Sequence, residues 1–274
     1  MNRSLRHQLV VITGAGRGIG RATATRFAAE GARVVIGDLD DDVAAKAAQQ
    51  IGRGAVGLTV DVSDRASYAA FIEQAQTLGP VDVLVNNAGI MPLSPLTEES
   101  DEATDRILDV NLRGVITGTK LVIPQMIERG HGHVINIASA VGRIAVANGA
   151  TYSASKFAVV GFSEAMRSEL KPHGVDVSCI LPTVVATELA AGVSATKGMR
   201  AAQPDDVAKA VVGVAHRPQF ETWVPRHSKG IFYSSNALPR RLKDTLGHAI
   251  GADRALSDVD AEARAEYERR AARP

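Results

Sequence analysis

Tyr152 and Lys156 stand four residues apart in Tyr152-Ser153-Ala154-Ser155-Lys156, inside a stretch whose pattern reads as a helix. Side chains at that spacing leave one helix face together and can reach one ligand. A neighbouring ammonium favours the phenolate and lowers a tyrosine pKa from about 10 toward working pH. Such a pair can move a proton to or from a substrate oxygen. The spacing also arises by chance, so its meaning depends on what else the chain supplies.

Thr13-Gly14-Ala15-Gly16-Arg17-Gly18-Ile19-Gly20 offers a second chemistry. Glycines between a strand and a helix permit a tight turn and let a pyrophosphate approach backbone N–H groups at the positive helix end. The G-x-x-x-G-x-G spacing differs from the commoner dinucleotide fingerprint. Asp38 follows at the end of the next strand, where a carboxylate accepts hydrogen bonds from a ribose diol and repels a 2′-phosphate. That favours NAD. Arg17 pulls toward NADP, because an arginine in the loop can pair with a 2′-phosphate.

The elements that must position these residues follow from hydrophobic period. Strands are expected at residues 9–13, 33–37, 55–60, 81–85, 134–138, 175–181 and 221–224. Helices are expected at 19–30, from the N-cap Asp40 to 50, 64–78, 101–129, 152–170 and 204–215. Strands alternating with helices imply an α/β doubly wound fold, a predominantly parallel sheet covered on both faces. With no linker-like tract before residue 225, residues 1–224 read as one domain and 225–274 as a C-terminal extension. Its first part is turn-rich to residue 241. Residues 253–273 read as a mostly solvated helix, with Leu256, Val259, Ala263 and Tyr267 as a narrow candidate docking stripe.

Composition excludes several classes. Hydrophobic residues are 45% and charged residues 22% of the 274, as in soluble globular chains. A net charge of +1 gives no reason to expect nucleic acid or an anionic membrane as partner. The single cysteine, Cys179, rules out an internal disulfide and a thiolate cluster and reads as core filler in a strand. No apolar run suits a signal peptide or an integral membrane span, so a cytoplasmic protein is expected. His131-Gly132-His133 reads as a turn, and the basic run at 239–243 as a solvated face.

The motifs together resemble the short-chain dehydrogenase/reductase family over residues 8–224. The glycine loop matches that family's motif through Gly14, Gly16, Arg17, Gly18, Ile19 and Gly20. Asp61-Val62 matches its adenine-contacting step, and Asn87-Ala88-Gly89, preceded by Asn86, its motif after the fourth strand. The resemblance implies a Rossmann fold, a nicotinamide cofactor and a catalytic set of Asn111, Ser139, Tyr152 and Lys156. In that set Tyr152 exchanges the proton and Lys156 lowers its pKa and binds the nicotinamide ribose. Ser139 holds the reacting oxygen, and Asn111 anchors a water that relays protons. Pro182, Val185 and Thr187 fall where the family contacts the nicotinamide.

One position departs from the pattern. Thr183 stands where the family has glycine, and it would be strained if that glycine takes a positive φ. The expected partner is a small-molecule alcohol or ketone. Val141, Ile144, Val146, Val184, Leu189 and Met199 make it lipophilic: a steroid, terpenoid or long-chain compound. The alternatives are an NADPH-dependent carbonyl reductase and a catalytically silent nucleotide-binding scaffold. The resemblance also implies a homodimer or homotetramer, and the extension either covers the pocket or meets another subunit.

Overall fold

A computed structural model describes residues 3–193, 201–236, 239, 241 and 259–272. Seven parallel strands form one sheet in the order β3-β2-β1-β4-β5-β6-β7. They are β1 (Leu9–Thr13), β2 (Arg33–Asp38), β3 (Val56–Thr59), β4 (Val83–Asn86), β5 (Gly132–Ile137), β6 (Val175–Pro182) and β7 (Glu221–Val224). The chain winds outward from β1 in one direction and from β4 in the other. The crevice at their carboxyl ends is where such sheets bind ligands.

The alternation of side chains along each strand divides the core in two. Val10 and Ile12 of β1 pack with α1 (Gly18–Ala29), α2 (Asp41–Ile51) and α7 (Pro204–His216), through Phe27, Ala47 and Val211. Leu9 and Val11 face the other layer, α3 (Arg65–Gln76), α5 (Gly114–Arg129) and α6 (Ala150–Leu170), through Phe71, Val122 and Met166. Asp40, Asp64 and Ser100 cap α2, α3 and α4 (Asp101–Leu108), accepting from the N–H groups of Val43, Ala66 and Ala103.

Four sequence expectations need correction. The helical region at 101–129 is interrupted by a π-helical turn, Asp109–Arg113. Part of the turn-rich segment forms α8 (Ser228–Asn236), in which Phe232 stacks on Trp223 at 5.2 Å. His133 lies in β5 rather than in a turn, with Nε2 2.8 Å from Ser178 Oγ. The last helix, α9 (Ala261–Ala271), is docked rather than solvated: Arg264, Tyr267 and Ala271 are buried. Of the proposed stripe, Tyr267 docks, Ala263 is exposed, and Leu256 lies outside the described residues.

Candidate active site

The glycine loop turns at the carboxyl end of β1 and enters α1 at Gly18, with Ile19 and Gly20 in its first turn. Gly14 has φ +60°, and a Cβ there would come 2.7 Å from Ala88 Cα. A Cβ on Gly16 would meet Val43 Cγ1 at 2.4 Å and Asp38 Oδ2 at 2.7 Å. The loop is therefore pressed against the ends of β2 and β4, and only glycine fits. Asp38 ends β2 and accepts the Gly16 N–H at 2.9 Å, so its carboxylate braces the loop while lining the cleft. Arg17 reaches across the cleft to Glu188 at 3.3 Å, and Arg270 of α9 binds the same carboxylate at 2.7 Å.

The next strand ends build the adjoining wall of the cleft. Asp61 lines the cleft with Oδ1 held by the N–H and hydroxyl of Ser63, at 2.9 and 2.6 Å. Val62 is buried against Gly114 at the head of α5. Asn87 donates to the carbonyls of Thr13 and Gly14 at 2.8 and 2.9 Å, and Ala88 N–H reaches Thr13 Oγ1 at 3.2 Å. Asn86 turns inward instead, linking Tyr68, Asn136 and, through Asn136, Ser163 in a buried polar chain.

Asn111, Ser139, Tyr152 and Lys156 gather where β4, β5 and β6 end. Asn111 lies buried in the π turn and clasps Ile90, accepting its N–H and donating to its C=O, both at 2.8 Å. A π turn widens the helical hydrogen-bond ladder, a distortion common at functional sites. Gly89 borders the same spot: a Cβ there would stand 3.2 Å from Asn111 Oδ1 and 3.4 Å from Lys156 Nζ. Tyr152 and Lys156 share a face of α6, with Nζ 5.8 Å from the ring centroid. Lys156 donates to the Ile137 carbonyl at 3.2 Å. Ser139 follows β5 and accepts the Val141 N–H at 3.1 Å.

Burial governs their charge. It pushes Tyr152 up to about 12, against the opposing pull of the Ser139 hydroxyl and the Arg264 charge. It pushes Lys156 down to about 8, which leaves most of the ammonium charged at pH 7. Lys156 therefore does not by itself bring the phenol to working pH. Cys179, beneath them in the core, is pushed up to about 12 by burial and stays a thiol.

The loop after β6 closes the far side. Pro182 ends the strand, and Val185 pairs with Ala202. Thr187 Cγ2 would stand 3.3 Å from a Cβ on Gly18, so this loop reaches the glycine loop. Thr183 is not strained. Among described residues the non-glycine positive φ angles are at His7, Arg53 and Asn148. Its N–H and hydroxyl both reach the Val224 carbonyl, at 2.9 and 3.3 Å, which ties β6 to β7.

Most of these residues, Ser139, Tyr152 and Lys156 among them, border one cleft of about 2050 Å³, room for a dinucleotide and a substrate together, while Asn111 and Gly20 are buried and do not line it. The glycine cradle, with no space for a side chain, and the carboxylate at β2 fit a nicotinamide dinucleotide. Val141, Ile144, Val146, Val184 and Leu189 line the cleft, and Met199 lies outside the described residues. Met91, Trp223, Phe232 and Tyr267 line it too. The sequence does not mark Met91 and Trp223 as cleft residues, and Phe232 and Tyr267 come from the extension, whose role it leaves open between covering the pocket and meeting another subunit.

Known proteins point the same way. The short chain dehydrogenase family model matches residues 8–198. The probable oxidoreductase EphD of Mycobacterium tuberculosis is 34% identical over 86% of this chain, which spans only 44% of that protein's length. Galactitol 2-dehydrogenase of Agrobacterium fabrum is 39% identical over 67% of this chain and 73% of its own. A 3-ketoacyl-(acyl-carrier-protein) reductase from Brucella melitensis, solved with NADH, superposes with a TM-score of 0.74 at 33% identity, over 81% of this chain and 98% of that one. Fold, sequence match and relatives agree, and the chain belongs to the short-chain dehydrogenase/reductase family.

Proposed function

We propose that the protein is an NAD-dependent dehydrogenase that interconverts a lipophilic secondary alcohol and its ketone, with Tyr152 as general acid/base. The supporting observation is the buried cluster of Ser139, Tyr152 and Lys156 at the head of a cleft walled by Val141, Val184, Leu189 and Phe232. A nicotinamide held in this cleft would supply the acceptor or donor of the hydride exchanged with the carbinol carbon. Ser139 Oγ holds the substrate oxygen. Tyr152 takes the hydroxyl proton during oxidation and returns one during reduction. Lys156 supplies a positive charge beside the phenol at pH 7 and a donor for the nicotinamide ribose. Asn111 orders the backbone around Lys156 and anchors the water that carries protons to solvent.

The preference for NAD rests on Asp38. A carboxylate at the end of β2 disfavours a 2′-phosphate, and the cation that would welcome one, Arg17, is engaged by Glu188. The Gly14, Gly16, Asp61, Asn87, Val185 and Thr187 positions complete the proposed cofactor site. The same reading includes assembly as a homodimer or homotetramer through α5 and α6, where Phe157 stands 43% exposed. It also includes a cytoplasmic location. Among the described residues no helix is long and apolar enough to cross a membrane.

The test is turnover of purified protein with NAD or NADP, read at the reduced-nicotinamide absorbance. Lipophilic secondary alcohols and polyols are the two substrate panels. Reduction of NAD with the lipophilic panel is expected. Turnover of polyols alone, the class in the name of the galactitol relative, would overturn the substrate class. Tighter binding of NADP would overturn the reading of Asp38.

A further inference from the structure

We propose that Arg264 is a positioning residue, which α9 inserts behind Tyr152 to fix the two loops that shape the substrate end of the cleft. The guanidinium is 4% exposed, and its donors go to both loops. Nη2 donates to the Met91 carbonyl in the loop after β4. Nη1 donates to the carbonyls of Leu189 and Ala191 in the loop after β6, at 3.0 and 3.2 Å. Nε binds Glu268 at 2.5 Å, and the guanidinium lies 4.7 Å from the Tyr267 ring centroid.

Tyr267 completes the hold on Met91 by accepting its N–H at 2.6 Å. Two adjacent residues thus have both backbone groups clamped by side chains: Ile90 by Asn111, and Met91 by α9. The helix is itself pinned at each end. Asp260 N–H reaches the Gly192 carbonyl at 3.0 Å, and Arg106 Nε reaches the Ala271 carbonyl at 2.7 Å. A buried cation that uses four of its five N–H donors to join two loops costs too much desolvation to be an accident of surface packing.

The clamp also carries charge to Tyr152. Ser139 faces the phenol from the end of β5, Lys156 from its own helix, and Arg264 and Tyr267 from α9; Glu268 partly offsets Arg264. Arg264 favours the phenolate there, so its removal moves the phenol's titration upward.

This inference rests on the dehydrogenase reading for its kinetics, so it is tested with and without turnover. The pH dependence of kcat/KM for alcohol oxidation is compared for wild type, Arg264→Gln and Arg264→Lys. Arg264→Gln keeps an amide donor but loses the charge, and the rising, acid-side limb set by the Tyr152 phenol should move up by about one pH unit, with roughly a tenfold loss at pH 7. Arg264→Lys keeps the charge and should leave the limb in place while KM for the alcohol rises. A profile for Arg264→Gln that overlays wild type would overturn the proposal. Amide hydrogen exchange supplies the turnover-free arm. Tyr267→Phe should expose the Met91 amide at least tenfold without a change in global unfolding, and unchanged protection would overturn the clamp. If wild type oxidises no alcohol while the Met91 amide still responds, the substrate reading fails and the clamp stands.

Discussion

At pH 7 the protein's own groups leave Tyr152 protonated, since burial outweighs the Ser139 and Arg264 contributions. A positive nicotinamide ring held in the cleft would lower the phenol further, so the proposed cofactor would also prepare the base. Lys156, 5.8 Å from the phenol ring centroid and mostly charged at pH 7, adds a favourable charge, and Lys156→Met should lower kcat by about 10²- to 10⁴-fold. The loss should be greatest at neutral pH, as steady-state rates across pH 6–10 would reveal. Tyr152 and Lys156 could be read from spacing, because a helix fixes which side chains share a face. The dominance of burial could not be, because it depends on what three strands and α9 pack around the phenol. The brace from Gly16 to Asp38 was equally hidden, although both residues were legible as a cofactor loop and its acid.

Elements were legible where hydrophobic period is strong. All seven strands lie within about two residues of their expected bounds, and Asp40 caps its helix as read. The π turn at Asp109–Arg113 was not legible, since no composition marks it, yet it carries Asn111. Asn111→Ala removes both partners of Ile90 and should cost about 1–3 kcal/mol of stability, measured by urea unfolding. Gly14→Ala tests the glycine loop. A methyl at φ +60°, 2.7 Å from Ala88 Cα, should weaken cofactor binding at least tenfold in a fluorescence titration and lower the Tm. The docking of α9 escaped the sequence for a different reason. Its alanine- and charge-rich composition describes a solvated helix, while the three carbonyls that Arg264 satisfies lie some 70 to 170 residues away in the chain.

For the molecule as a whole, the sheet holds a pH liability at the end opposite the cleft. Burial pushes His133 down to about 3 from an ordinary value near 6.5, and its Nε2 contacts Ser178. The folded state therefore keeps it neutral while the unfolded chain takes up a proton below pH 6.5. The neutral form's contribution is complete above that pH and is lost as pH falls from about 6.5 toward 3. From pH 7 to 5 the loss should approach about 2 kcal/mol by urea unfolding. His133→Asn should flatten that dependence. At the other end of the same strands, the cleft brings together every predicted site residue except the buried Asn111 and Gly20. The most direct test of Tyr152 as the acid/base is rapid-mixing measurement of NADH formation by wild type and Tyr152→Phe, alongside NADH binding followed by fluorescence. Binding should be unchanged within about twofold, while the rate of formation falls by at least about 10³-fold. A Tyr152→Phe enzyme that forms NADH at near the wild-type rate would contradict the mechanism outright.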